Sequence, residues 1–319
     1  MGDLKPSGGG VFGAGLGQSP SAADDWDVKT SVDAEPDPDA IETLQRKPYV
    51  SATERAAYLL RARIAQRASL ADEDLTGVDL SGLDLSGFDL RRTILRGAIL
   101  RGTIFRRAVL HDAVLAGAHL DGAGFFGAQL TAADLTGAVG CQVDWRESDL
   151  GRAVFDGATL LECLFDRCRG AATRWVGAVL TGSRFVDARL DGADLGEACL
   201  DDVCLEGASL VGARLHGAHG MRVVAGACDL TRARALGGAA FPEADLTRAL
   251  LDDGVWSGAV LVGAKLLSAS LRRVDFTGAD LRGARSEGCR SEGADLAGAL
   301  LDDVESEMRT LQRPAVRLP

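Results

Sequence analysis

The sequence predicts an all-β solenoid, and two regularities carry that prediction. Over Asp74–Leu110 an apolar residue recurs at every fifth position, which we call the centre of each repeat. A second residue, small or apolar in most repeats, recurs two positions before each centre. The centres of this stretch are Leu75, Leu80, Leu85, Leu90, Leu95, Leu100, Phe105 and Leu110.

A period of five residues excludes one continuous helix and one straight strand. A helix turns about 100° per residue, so each centre would drift by about 140° per repeat. Five is odd, so a straight strand would present successive centres on opposite faces. The pattern is satisfied when each repeat is a short extended piece that ends in a corner. Gly is frequent at the corner positions and tolerates turn geometry, and repeated corners wind the chain into a solenoid.

Repeats of the form A-x-L-x-G carry a family resemblance. ADLTG at Ala133–Gly137, ADLGE at Ala193–Glu197 and ADLRG at Ala279–Gly283 resemble the pentapeptide repeat family. The resemblance covers about 230 of the 319 residues. It implies a right-handed quadrilateral β-helix with four repeats per coil. The array would then have about 11–12 coils and a length of about 55 Å.

With four repeats per coil, every twentieth residue stacks on the one before, and this spacing sorts the aromatic residues. The aromatic residues fall in two columns, and the shorter one, which we call the second column, holds Phe155 and Trp175 between Leu135 and Leu195. Stacked aromatic rings favour a buried column that fills the interior. The first column, which we predict to be the structural core, contains Phe105, Phe125, Trp145, Phe165 and Phe185.

The chain before the repeats divides into an arm and a helix. Residues 1–48 are rich in Gly, Pro, Ser and Asp and predict a disordered arm, in which Phe12 and Trp26 are candidates for docking on a partner. The alternative for this segment is a plain linker. Residues 49–70 predict a helix whose Ser51 and Glu54 match a capping box. We expect this helix to cover the exposed backbone of the first coil.

The repeats are expected over 71–306, with one slip in register near 231–236. The spacing from Leu230 to Leu236 is six residues, which predicts a bulge or a bent corner. Residues 307–319 are expected to form a C-terminal cap or tail, and Val304, Met308 and Leu311 are at helical spacing before Pro314. This end is also a candidate surface for forming a homodimer.

Charge and composition limit the functional classes. The formal net charge is −11, and residues 71–307 hold 24 basic and 36 acidic residues. An acidic surface disfavours direct binding of nucleic acid phosphates. The same charge can serve only to keep a rod soluble. No apolar run approaches about 18 residues, so we expect no membrane association. The absence of a secretory leader and the odd number of seven cysteines predict a bacterial cytoplasmic protein with reduced thiols.

Residues capable of chemistry are present but scattered. The four histidines fall at outward or corner positions without a nucleophile beside them, and no CxxC pair occurs. Four cysteines, Cys163, Cys168, Cys228 and Cys289, precede a centre by two and are expected in the core. We therefore expect no enzymatic activity, no cofactor and no metal. The acidic pairs expected to be solvated corners are Asp201 with Asp202, Asp252 with Asp253, and Asp302 with Asp303.

A basic collar near the first coils is the main candidate for partner binding. One interpretation is a solvated surface that balances Asp74–Asp89. The other is a docking patch for an acidic protein. The collar consists of Arg91, Arg92, Arg96, Arg101, Arg106 and Arg107.

These features favour a non-catalytic scaffold or adaptor that binds a protein partner. The stretch LADEDLTGVDLSGLDLSGFDL, Leu70–Leu90, is similar to the openings of pentapeptide repeat proteins associated with bacterial type VI secretion. That resemblance implies a role in handling secreted effectors. The alternative is a DNA mimic that acts on DNA gyrase or topoisomerase, as in Qnr and MfpA-like pentapeptide proteins. Acidity and rod shape support this alternative, while the collar and the interrupted aspartates oppose it.

Overall fold

The computed structural model describes residues 52–301, with side chains described from Leu59 onward. The chain divides into two units at Ala65–Gln66. The predicted arm with Phe12 and Trp26, and the predicted C-terminal cap of 307–319, lie outside the described residues. Their roles stay predictions.

The first unit contains helix α1, Ala52–Ala65. Its sequence ATERAAYLLRARIA is built from residues of high helix propensity, which explains a helix of 14 residues. Arg63 lies in its last turn, where a cation interacts favourably with the helix dipole. The helix lies within the range 49–70 expected from the sequence but is shorter, and its role as a lid stays a prediction.

The second unit, from Gln66 onward, is the repeat body, in which coils stack in parallel at a spacing of twenty residues. Asp74 bridges Ile94, and Ile94 bridges Val114, and the same step recurs on all four sides. The amide N of Leu75 donates to the carbonyl O of Ile94 at 2.7 Å. Four repeats therefore make one coil. The extended pieces are so short that, among residues 52–301, only β1 (Val139–Cys141) and β2 (Thr159–Leu161) form a continuous parallel pair.

Many corners share one hydrogen-bonding pattern, which explains the frequent Asp-Leu pair. The Asp before a centre accepts a hydrogen bond from the amide two residues later, as Asp74 does from Thr76 N at 3.0 Å. Short polar side chains stabilise turns in this way. The second corner residue has a positive φ, which is 67° at Gly77 but also 55° at Arg92. Gly is thus favoured but not required.

The aromatic residues of both columns are buried and stacked. In the first column, Phe105 lies 4.7 Å from Phe125, and Phe165 lies 4.5 Å from Phe185, centroid to centroid. In the second column, Phe155 lies parallel to Trp175 at 4.0 Å. The two columns meet at nearly right angles, as between Trp145 and Phe155 at 87°. Both arrangements are favoured by the quadrupoles of aromatic rings.

The extra residue lies in the corner that follows Ala235, and Leu236 is not a centre. Bridges connect residues twenty-one apart from His219–Ala240 to Arg234–Val255, and twenty apart again from Ala240–Val260. Ala235 is fully buried, whereas Leu236 is half-buried. The expected centre at Leu236 is therefore wrong. Gly237 and Gly238 adopt φ of 65° and 83°, which lets three residues form one corner.

The coil beside this corner has a depleted core. Three of its four centres are the small residues Gly220, Ala225 and Ala235. An apolar cavity of about 30 Å³ lies here, lined by eleven side chains that include Leu205 and Trp256. In the last described coil, Cys289 is only half-buried, so the expectation that it packs in the core is wrong. No helix within 52–301 is long and apolar enough to cross a membrane.

Candidate functional site

The six arginines of the collar surround one coil instead of forming one patch. Each of the four corners between residues 91 and 110 carries at least one of them, and all six are exposed. Arg96 therefore lies on the opposite edge of the coil from Arg106 and Arg107. A single docking patch made of all six is not what the structure contains.

Three collar arginines are engaged by carboxylates of the same chain. Arg91 donates to both oxygens of Asp89 at 2.8 and 2.7 Å, and Arg92 does the same to Asp72 at 2.6 and 2.7 Å. Arg101 lies 3.3 Å from Asp121. The hydrogen bonds from Arg91 lower the pKa of Asp89 from 3.8 to about 2. These arginines therefore match the interpretation of a surface that balances the nearby aspartates.

Arg106 differs because an aromatic side chain lies beside it, and Arg107 follows it at the same corner. We call the group Arg106, Arg107, Phe126 and Arg146 the Arg-Phe edge. The guanidinium carbon of Arg106 lies 5.3 Å from the centroid of Phe126, and that of Arg146 lies 5.9 Å from it. The three side chains are one coil apart in a single column. Cations over an aromatic face are attracted by its electrons, so the ring holds two guanidinium groups together.

Phe126 is the single aromatic residue of the repeat body, over the described residues 66–301, that is not buried. It is half-buried at a corner position, where most repeats have a polar residue, Ala or Gly. Sequence reasoning missed both Phe126 and Arg146. The available signal was an aromatic residue immediately after the centre Phe125.

Arg146 is held by a carboxylate two residues before it in the chain, whereas Arg106 and Arg107 are not held in this way. It donates to both oxygens of Asp144 at 2.8 and 2.7 Å. Burial raises the pKa of Asp144, but the hydrogen bonds and charge of Arg146 outweigh that effect and the net shift is downward. Within the described residues, Arg106 and Arg107 have no ion pair with a carboxylate. Their charges are available to a partner.

A shallow notch adjoins the edge. Gly124 points outward one coil below Ile104 and one coil above Asp144. A methyl group added at Gly124 would meet no atom within 4 Å. Ile104 is 43% exposed. The edge thus combines free positive charge, an aromatic ring and an accessible apolar side chain.

Several residues capable of chemistry are engaged in structural contacts or buried. His111 Nε2 lies 3.1 Å from Gln129 Oε1, and the carboxylate of Asp202 accepts two hydrogen bonds from Arg222 at 2.7 Å. Burial raises the pKa of Cys163 and of Cys168 to about 12, so both thiols stay protonated. Among the described residues, no group of three His, Cys, Asp or Glu side chains could hold a metal ion.

The chain is similar to several proteins of known structure. Among solved structures, HetL of the cyanobacterium Nostoc, involved in heterocyst differentiation regulation, is 24% identical over 80% of this chain and 97% of its own, with a TM-score of 0.38. QnrB1, a plasmid-mediated fluoroquinolone resistance protein, is 16% identical over 74% of this chain and 93% of its own, with a TM-score of 0.30. A pentapeptide repeat protein of the Arabidopsis thaliana thylakoid lumen is 30% identical over 41% of this chain and 70% of its own, with a TM-score of 0.15.

No curated protein matches the chain. The family model for pentapeptide repeats matches with eight copies, and the fold that this implies is the right-handed quadrilateral β-helix. The matched residues are 74–112, 103–139, 176–207 and 239–278. The chain belongs to the pentapeptide repeat family.

Proposed function

We propose that this protein is a non-catalytic scaffold that binds an acidic protein partner at the Arg-Phe edge. The observation that carries the proposal is the outward position of Phe126 between the guanidinium groups of Arg106 and Arg146. An aromatic side chain at a solvent-facing corner adds nothing to the core, which supports a role in binding.

The chemistry of the edge indicates the kind of partner. Aromatic and Arg side chains dominate the binding energy of protein interfaces. Arg106 and Arg107 offer donors that match carboxylates, and Phe126 with Ile104 offers apolar area. The partner surface would therefore present Asp or Glu beside an apolar group. Because the chain as a whole carries a net charge of −11, binding of an acidic partner would depend on the local positive charge of the Arg-Phe edge.

The fold holds the edge in a fixed geometry. The amide of Arg107 donates to Phe126 O at 3.0 Å, and the amide of Gly127 donates to Arg146 O at 3.0 Å. These bonds fix the backbone of the edge from coil to coil. A preorganised surface loses less conformational entropy on binding.

Two finer parts of the proposal concern the partner and the arm. The opening Leu70–Leu90 resembles proteins associated with type VI secretion, so we propose an adaptor for a secreted effector in the bacterial cytoplasm. Loss of effector secretion after deletion of the gene is the expected outcome, and normal secretion would contradict it. Capture experiments with and without residues 1–48 test separately whether Phe12 and Trp26 contribute to docking.

Affinity capture from the native host tests the Arg-Phe edge. We expect a partner to be retained by the wild-type chain and lost with Arg106→Glu and with Phe126→Ala. The matched control is Arg96→Glu, which makes the same charge change on the same coil at the opposite edge. Equal loss with Arg96→Glu would indicate general electrostatics, and retention by Phe126→Ala would exclude the edge as the binding site.

The acidity of the chain favours one second candidate, the DNA mimic. Such a protein presents carboxylates in a regular row. In residues 66–301, Asp275 and Asp295 are the longest run of acidic residues on successive coils of one outward column. This interrupted pattern supports the scaffold over the mimic.

A further inference from the structure

One side of the repeat body has an outward column without charge over nine successive coils. Its members are half-buried or exposed and several are β-branched. On the other three sides, the outward columns carry five, four and four charged residues over the same nine coils. We call this side the uncharged face, and its outward residues are Ile99, His119, Val139, Thr159, Val179, Cys199, His219, Ala240 and Val260.

Charged residues return where the uncharged face ends. Asp79 precedes Ile99 in this column, and Asp280 follows Val260. Successive coils are joined by parallel bridges with no break in this column, so the surface is regular. At about 4.8 Å per coil, it extends for about 40 Å. The corners on either side of the uncharged face carry charged residues. These charges determine which surface can pack against the face.

We propose that a second copy of this chain packs on the uncharged face, with the two rods antiparallel. A two-fold axis lies across the face between Thr159 and Val179. Thr159 of one copy then faces Val179 of the other, and Val139 faces Cys199. Each edge of the face meets the same edge of the partner in reverse order, as symmetry requires.

This register places opposite charges against each other along the edge that follows the face in the chain, beside the ion pairs that Arg101 and Arg222 make with Asp121 and Asp202 of their own chain. Arg101 meets Glu243 of the other copy, and Asp121 meets Arg222. Because the axis is two-fold, each of these pairs forms twice. Along the other edge, Asp156 meets Val176, and the two Asp156 carboxylates near the axis are each paired with Arg174 of their own chain at 2.6 Å.

Neighbouring registers bring like charges together. An axis through Val179 would place Asp121 against Glu243. A parallel arrangement would place Arg96 of each copy against Arg101 of the other. Charge complementarity therefore selects the antiparallel register between Thr159 and Val179, since like charges across an interface oppose association. The Arg-Phe edge does not border this face, so dimer formation leaves it accessible.

The size of the face sets the expected affinity. A strip of about 40 by 10 Å covers roughly 400 Å² per copy, against about 800 Å² for a standard interface. We therefore expect a weak dimer with a Kd of about 10–100 μM. Sedimentation velocity of the full chain up to about 300 μM should show it. A monomer at the highest concentration would overturn the proposal.

A charge at the middle of the face tests its location. Thr159→Lys places two lysines near the axis and should abolish the dimer. Gln129→Lys, which makes a similar change on the opposite side of the body, should leave the dimer intact. Circular dichroism checks that both variants fold. A dimer that survives Thr159→Lys lies elsewhere, such as at the C-terminal end, and would overturn the proposal.

Exchange of charge tests the register independently. Arg101→Glu alone places carboxylates against Glu243 of the partner, and Glu243→Arg alone places guanidinium groups against Arg101. Each variant should dimerise about tenfold more weakly than the wild type at low salt. An equimolar mixture of the two variants should recover the wild-type affinity, because the reversed charges then face each other. A mixture that associates no better than either variant alone would overturn the register.

Discussion

The indole of Trp145 lies parallel to the ring of Phe125, with ring centroids 4.1 Å apart and planes 6° apart. The two residues are twenty positions apart and both are fully buried. This contact is the centre of a column that continues to Phe105 above and Phe165 below. Because each coil contacts only its neighbours, such columns connect the coils into one core.

Trp145→Ala should lower the free energy of unfolding by about 3–5 kcal/mol, because it leaves a large cavity in the column. Urea unfolding followed by circular dichroism measures the change. Phe126→Ala, at the half-buried corner, is the control and should cost less. An unchanged midpoint for Trp145→Ala would contradict the stacked core.

Trp145→Phe tests the contribution of the indole Nε1 to stability, because it removes that atom and keeps an aromatic ring. The indole Nε1 of Trp145 is buried and has no hydrogen-bond partner among the described residues. A buried unpaired donor is unfavourable, and Phe keeps the stacking surface. The cost of Trp145→Phe should therefore be less than half of that of Trp145→Ala. Equal costs in the same unfolding experiment would show that Nε1 is satisfied.

Gly220→Ala should destabilise the depleted coil by about 1–3 kcal/mol, because overpacking forces the backbone to shift. A methyl group at Gly220 would lie 2.7 Å from both the carbonyl C and O of Leu200. Gly124→Ala is the matched control, because a methyl group there meets no atom within 4 Å. Thermal unfolding of both variants measures the difference. Equal melting midpoints would contradict the close approach of the coils at Gly220.

The fold was predictable because every repeat follows the same short sequence pattern. The five-residue period and the twenty-residue stack can be counted directly in the sequence, and they place Phe125 on Phe105. The site of the extra residue was not predictable in this way. Leu236 is the larger apolar residue and fits the expected period, yet Ala235 takes the centre because Gly237 and Gly238 can extend the corner.

The candidate site was predicted only in part. The collar arginines were found from charge alone, but their pairing depends on which carboxylate lies one coil away, as Asp72 does from Arg92. The twenty-residue rule would have shown that pair. The contact of Phe126 with Arg106 and Arg146 depends on side-chain direction at a corner, which periodicity does not give.

Acid should destabilise the repeat body between about pH 4 and about pH 2. Arg91 lowers the pKa of Asp89 from 3.8 to about 2. A lowered pKa contributes stability that is present above the unfolded value and is lost as the pH falls through the folded value. Arg91→Gln should return the pKa of Asp89 towards its usual value in an NMR titration, and Arg96→Gln should not. Other aspartates with a lowered pKa are Asp72, Asp74, Asp84, Asp144, Asp202, Asp245, Asp253 and Asp280.

Alkylation of the folded protein should distinguish two classes of cysteine. Cys163, Cys168 and Cys228 are buried, and burial raises the pKa of each thiol. Since the thiolate is the reactive form, these three should react only after unfolding. Iodoacetamide followed by mass spectrometry should first label the half-buried residues. Labelling of Cys168 in the folded protein at the rate of the others would contradict its place in the core. The residues expected to react first are Cys141, Cys199, Cys204 and Cys289.

Finally, the protein should leave DNA gyrase unaffected. A mimic of DNA would place carboxylates at regular intervals along one side, where they replace phosphates. Here Asp134 and Asp194 of one outward column are separated by Val154 and Arg174, and the uncharged face has no carboxylate in its outward column between Asp79 and Asp280. A supercoiling assay with purified gyrase, with and without a quinolone, should therefore show neither inhibition nor protection. Potent inhibition at a concentration where Arg106→Glu is equally active would replace the scaffold proposal with the DNA mimic, because the charge of the Arg-Phe edge would then be irrelevant.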